Sequence, residues 1–203
     1  MTLRCVLWDF GDTLVDERWL QRAPVGVPQW PDVWKSLVRG ELADRWNTGE
    51  LTLGHVVDAV ASTLPMSREA IGAHIGRCCA EVAFFPAPLA VARASRLPQA
   101  IVTINPDAFT QLVVPRYALD ATFAPIVTSW QQRTLDKADL ADIALRSIDG
   151  DIARAEALLI DNVQANVERW IARGGRAYHF RGEARFREDP RRELRDLAVT
   201  AEP

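Results

Sequence analysis

Hydrophobic positions fall into two rhythms along this chain. Short apolar runs bounded by turn residues occupy 4–10 (RCVLWDF), 98–104 (PQAIVTI), 121–128 (ATFAPIVT), 156–161 (EALLID) and 176–180 (RAYHF). Each predicts a buried strand. Between them the spacing turns helical. Residues 136–148 place Leu140, Ile143, Ala144 and Ile148 on one face; residues 163–173 gather Val163, Val167, Trp170 and Ile171, and Gly174-Gly175 supply a stop. Strands alternating with helices predict an α/β fold with a Rossmann-like parallel sheet and crossover helices.

Residues 15–85 break the alternation. Asp32 can cap a helix that presents Val33, Trp34, Leu37, Val38, Leu42 and Trp46 at helical spacing, ended by Asn47-Thr48-Gly49. Thr52 opens a second helix with Val56, Val57, Val60 and Leu64. Ser67 opens a third with Ile71, Ile75, Cys78, Cys79 and Val82. The pattern predicts a helical cap over 15–85, inserted into a core made of 1–14 and 86–203. Trp19, Trp30, Trp34 and Trp46 supply its bulk. The stretch 181–203 is dense in alternating charge and predicts a solvated helix and tail.

Composition narrows the function. A length of 203 residues with 48% apolar content suits one domain plus a modest insertion. A formal net charge of −3 leaves no basic field for nucleic acid. No apolar run approaches the roughly 20 residues that span a bilayer, and the N-terminus is too soon acidic for a signal peptide. Cys5, Cys78 and Cys79 lack ligand spacing and read as small buried hydrophobes in a reducing, cytoplasmic setting. His55, His74 and His179 also lack metal spacing. Of the 24 basic residues only Lys35 and Lys137 are lysines, so a lysine at a critical spot carries weight.

Ligands of open parallel sheets bind beyond the carboxyl ends of the strands. There the chain places Asp9-Phe10-Gly11-Asp12-Thr13, Thr103-Ile104-Asn105, Ser129 with Lys137 beyond it, and Asp161-Asn162. Carboxylates, a hydroxyl, an amide and an ammonium at one edge suit phosphoryl transfer. A carboxylate can act as nucleophile, oxygen ligands suit Mg²⁺, and the hydroxyl and ammonium can hold phosphoryl oxygens.

In this order the residues resemble the haloacid dehalogenase-like (HAD) hydrolases. DFGDTL (9–14) is similar to the family's first motif, D-x-D-G-T-L. VTIN (102–105) is similar to the second, Lys137 to the third and LLIDN (158–162) to the fourth, with the helical insertion where many members carry a cap. The resemblance covers about residues 3–181. It implies Asp9 as nucleophile and Mg²⁺ ligand, the Gly11 carbonyl and Asp161 as further ligands, and Thr103, Asn105 and Lys137 holding the phosphoryl group of a small phosphorylated substrate.

Three positions depart from that pattern. Phosphatases of the family usually carry an acid at the Gly11 position, which protonates the leaving group; a glycine cannot. Asp12, one residue on, is a substitute or a brace for the loop. Asn162 stands where an acid is common, which weakens Mg²⁺ binding. Ala138 stands where many members have proline. These departures keep three alternatives open: phosphonate cleavage with Lys35 forming an imine, metal-free dehalogenation, and a ligand-binding protein without turnover.

Overall fold

A computed structural model describes residues 2–189. Five short strands, β1 (Cys5–Trp8), β2 (Gln99–Thr103), β3 (Ile126–Thr128), β4 (Ala157–Asp161) and β5 (Arg176–His179), form one sheet in the order β3-β2-β1-β4-β5. Every pairing is parallel. Side chains from both faces are buried, which is why the strands read as continuous apolar runs. Val6, Trp8, Ile101, Leu158 and Ile160 enter one core cluster, whereas Cys5, Leu7, Ala100, Val102 and Leu159 enter the other.

Between β1 and β2 lie α1 (Trp30–Leu37), α2 (Glu41–Asn47), α3 (Leu53–Ala61), α4 (Arg68–Ala80) and α5 (Pro86–Ala94). Thr52 and Ser67 open α3 and α4 as expected; the Ser67 hydroxyl accepts from Ala70 N at 3.1 Å. Trp19, Trp30, Trp34 and Trp46 are all buried. Trp30 stacks on Trp34 at 5.5 Å, and Trp34 meets Trp46 edge-on at 6.1 Å. The remaining helices are α6 (Val114–Tyr117), α7 (Ser129–Gln132), α8 (Lys137–Ile148), α9 (Gln164–Ala172) and α10 (Glu183–Glu188). Ala138, Leu140, Ala141 and Ala144 of α8 join Trp170 of α9 on the second face of the sheet.

The structure corrects several boundaries. The single helix expected from Asp32 to Trp46 is two, α1 and α2, parted at Gly40, whose φ of 70° a side chain would resist. Gln29, not Asp32, precedes the first turn, and Pro31 sits inside it. The strand expected over 121–128 shrinks to β3. Leu119–Ala121 is a 3₁₀ turn, and Pro125, with no N–H for the ladder, precedes the strand. Helix α5 was not anticipated; Pro86 starts it, where a missing N–H costs nothing. The charged C-terminal stretch yields α10, with Phe186 buried beneath it; 190–203 lies outside the described residues.

Gly174 (φ 87°) ends α9 as the sequence suggested. Gly175 has a separate reason to lack a side chain: a β-carbon there would lie 2.2 Å from the Trp170 indole.

Candidate functional site

The chain runs β1, β2, β3 toward one edge and then crosses to β4 and β5 on the other side of β1. The crevice of such a sheet opens at that switch, beyond the carboxyl ends of β1 and β4. Asp9 follows β1 directly, and its N–H donates to Ile160 O at 2.9 Å, prolonging the pairing. Asp161 closes β4. Lys137 is the first residue of α8, whose N-terminus is fixed by the Asp136 carboxylate accepting from Ala138 N at 2.8 Å.

These three elements converge on one ammonium. Lys137 Nζ donates to Asp9 Oδ1 at 2.5 Å and to Val102 O at 3.0 Å, and lies 3.4 Å from Asp161 Oδ2. Exposure is 6% for Asp9, 2% for Lys137 and zero for Asp161, so two carboxylates and one cation share a site almost without water. Burial pushes the Asp9 carboxyl above the usual carboxylate range; the Lys137 ammonium opposes that, and the Asp161 charge adds to it. Burial also disfavours the Lys137 cation, but Asp9 and Asp161 outweigh it and hold the ammonium above its ordinary value. Asp161 is further oriented by Val163 N at 2.7 Å and by Asn166 Nδ2 at 3.2 Å.

The other expected residues surround this centre. Asn105 Nδ2 donates to Thr103 Oγ1 at 2.7 Å, and both are buried. The Ser129 hydroxyl reaches Asn105 O at 3.4 Å. Asn162 accepts from the Thr13 hydroxyl at 3.5 Å, and His179 Nε2 donates to its carbonyl at 3.0 Å. Asp12 takes a left-handed φ of 50°, a conformation that Asp tolerates better than most residues. It is exposed, and its Oδ1 accepts from Glu17 N at 3.0 Å, bracing the loop.

Two residues carry weight that the sequence did not signal. Glu17 lies against Gly11; the residue as a whole is exposed, yet desolvation of its carboxyl, then the charges of Asp9 and Asp12, push that carboxyl up to about 7 against the opposing Lys137 ammonium. The only sequence hint was that Gly11 leaves room for a side chain from elsewhere. Asp107, just after β2, is buried and accepts from Trp46 Nε1 at 2.8 Å and Leu53 N at 2.9 Å, tying α2 and α3 to the sheet edge.

Beside this centre is a cleft of about 270 Å³. Trp19, Trp34, Trp46 and Phe109 form apolar wall, and Asp12, Glu17 and Asn105 form polar wall. Lys35 is exposed on α1 and is not among the lining residues. His55 accepts at Nδ1 from Thr52 N, and His74 donates to Arg22 O; both serve local structure. The three cysteines are free and buried, and burial raises all three thiols.

The Asp9 and Asp161 carboxylates, which share the Lys137 ammonium, are oxygen donors of the kind that suits a cation keeping several waters, such as Mg²⁺, with the Gly11 carbonyl the further ligand the sequence resemblance implies. Among the described residues no cluster of three His, Cys, Asp or Glu side chains could hold a metal. Any ion here therefore relies on backbone carbonyl and water beside the two carboxylates. The buried charge balance also favours a second cation, because one ammonium faces two carboxylates. Among the described residues no helix is long and apolar enough to cross a membrane.

No protein-family model matches the sequence, and no curated protein matches it. Solved structures do match in fold. An L-2-haloacid dehalogenase superposes with a TM-score of 0.69 at 19% identity, covering 100% of both chains. An HAD-family enzyme from Bacteroides thetaiotaomicron gives 0.67 at 13% identity, covering 88% of this chain and 94% of that one. The same enzyme in complex with magnesium and inorganic phosphate gives 0.64 at 14% identity, covering 87% and 93%. These likenesses show that the chain has the HAD-like fold.

Proposed function

We propose that this chain is a Mg²⁺-dependent phosphohydrolase that transfers a phosphoryl group to Asp9 and then to water. The observation that carries the reading is Lys137 Nζ held between Asp9 Oδ1 and Asp161 Oδ2 at the switch point of the sheet. A Mg²⁺ site needs that second carboxylate.

Asp9, Asp161 and the Gly11 carbonyl would hold the ion. When bound, Mg²⁺ neutralises charge on the phosphoryl oxygens. The protein's own groups do the rest. Lys137 keeps Asp9 ionised and aimed. Thr103 and Asn105 present a hydroxyl and an amide to the phosphoryl oxygens. Asp9 Oδ forms a bond to phosphorus as the bond to the leaving oxygen breaks, and water later returns the carboxylate and releases phosphate. The small, indole-walled cleft favours the monophosphate of a compact alcohol with an apolar or aromatic part. The helices between β1 and β2 act as the cap that selects it.

The test is hydrolysis of an aryl phosphate with Mg²⁺, with Asp9→Asn as control. Turnover that needs Mg²⁺ and vanishes in Asp9→Asn supports the reading. Loss of chloride from 2-chloropropionate that persists in chelator, with no phosphatase activity, overturns it in favour of dehalogenation.

A further inference from the structure

An alkyl phosphate releases its alcohol efficiently only when a proton reaches the bridging oxygen as the P–O bond breaks. Gly11 has no side chain to supply one. Yet the space that residue 11 leaves is filled. A β-carbon placed on Gly11 would lie 2.7 Å from Cδ and Oε1 of Glu17 and 3.1 Å from Oε2. The Glu17 carboxyl therefore lies where a side chain of residue 11 would begin, reaching that place from further along the loop.

The local structure holds it there. Glu17 opens a 3₁₀ turn (Glu17–Gln21) capped by Asp16, whose carboxylate accepts from Arg18 N at 3.0 Å. Glu17 N donates to Asp12 Oδ1, also at 3.0 Å. Val15 forms bridges to Gly11 and to Phe84, pinning the loop between them. Among the described residues the Glu17 carboxyl has no hydrogen bond or ion pair, and it lines the same cleft as Asn105. Glu17 and Asp12 are both exposed as residues, but the Asp12 carboxylate is already engaged in accepting from Glu17 N.

We infer that Glu17 is the proton donor and acceptor of the hydrolysis, supplying from the cap side the carboxyl that Gly11 lacks. This rests on the phosphohydrolase reading above. In the first half-reaction Asp9 Oδ bonds to phosphorus, the P–O bond to the alcohol breaks, and the Glu17 proton passes to the departing oxygen. In the second, the Glu17 carboxylate takes a proton from water as that water's oxygen bonds to phosphorus. The P–O bond to Asp9 breaks, phosphate leaves, and both carboxyl groups are restored.

The experiment compares an alkyl phosphate with an aryl phosphate, whose leaving group departs without protonation, in the full chain with Mg²⁺. Glu17→Gln, nearly isosteric, lowers kcat for the alkyl ester by about 10²–10⁴. With the aryl ester it still shows a burst of aryl alcohol and then slows, because deprotonation of water is lost. Gly11→Asp combined with Glu17→Ala, which clears the clash, restores alkyl turnover above that of Glu17→Ala alone. Wild-type alkyl turnover unchanged in Glu17→Gln overturns the inference and leaves the phosphohydrolase reading intact, as does a wild-type protein that splits only the aryl ester. A wild-type protein that splits neither overturns both. Loss of the aryl burst in Glu17→Gln, with an unaltered melting temperature, also overturns it, since proton transfer is not needed in that step.

Discussion

Without the Lys137 ammonium, Asp9 and Asp161 would be two carboxylates in a site almost closed to water. Breaking a buried pair from one side typically costs about 3–5 kcal/mol, because the surviving charge stays unsolvated. Lys137→Met is expected to lose about that much in denaturant unfolding, along with all turnover. Lys137→Arg is expected not to restore activity, since a planar guanidinium cannot replace a compact ammonium donating to Asp9 Oδ1 and Val102 O. A Lys137→Met protein as stable as wild type would show that the pair is not held as described. Gly175→Ala gives a second expectation. Its methyl meets the Trp170 indole at 2.2 Å, so the overpacked variant loses about 1–3 kcal/mol in the same assay. Asp9, Lys137 and Asp161 were legible in the sequence because charge at the end of an apolar strand, or a rare lysine at a helix start, has few structural uses. Glu17 was not legible. Its neighbour Gly11 is brought to it by a loop that turns through the left-handed backbone of Asp12, and no periodicity records such a turn.

At the scale of elements, the strands and the helices α3, α4 and α8 followed from spacing and caps, since each buries a face the pattern displays; α9 followed in place but not in face, because Val167 and Trp170 are buried while Val163 and Ile171 of the expected face are exposed. The break at Gly40 and the existence of α5 did not follow. The first rests on the left-handed backbone of Gly40, which an apolar pattern running through it does not record, and α5 has a short, proline-started sequence with a weak apolar face. The join between the α2–α3 segment and the sheet depends on Asp107. Asp107→Ala leaves the buried Trp46 Nε1 and the Leu53 N–H without their acceptor, at a cost of about 1–3 kcal/mol. A change in Trp46 emission should accompany the lowered denaturant midpoint; an unchanged midpoint would mean that other contacts hold the segment. Helix α4 supplies a pH dependence. His74 is packed against Trp30 and beside Cys78, and it donates to Arg22 O. Burial, reinforced by the Arg77 charge, holds the imidazole below its usual value. The native state thus binds fewer protons than the unfolded chain in this range. The stability contributed is full above the unfolded value of about 6.5 and is lost as pH falls through the lower folded value. Urea midpoints for wild type should drop below pH 6.5 more steeply than for His74→Gln, and parallel curves would remove His74 as the cause.

For the whole molecule, the metal question can be separated from catalysis. The five-stranded sheet brings Asp9 and Asp161 together only when β1 and β4 pair, so an ion held by both binds the folded chain and not the unfolded one. Such a ligand raises stability by RT ln(1 + [L]/Kd), about 2.7 kcal/mol at a hundredfold excess over Kd. For a domain of this size each kcal/mol is about 2–4 °C, so the melting temperature should rise by roughly 5–10 °C at that concentration and return to its starting value in chelator. Asp161→Asn should abolish the Mg²⁺-dependent shift whatever it does to the starting stability, because the amide lacks the charge. Ca²⁺, which prefers six to eight oxygen ligands, should stabilise less than Mg²⁺ at a site offering two carboxylates and a carbonyl. A melting temperature insensitive to Mg²⁺ in the wild type, at concentrations that support turnover, would mean that the ion arrives with the substrate phosphate rather than residing on the protein. Lys137 would then be, among the described residues, the one fixed positive charge paired with the two carboxylates in the resting site.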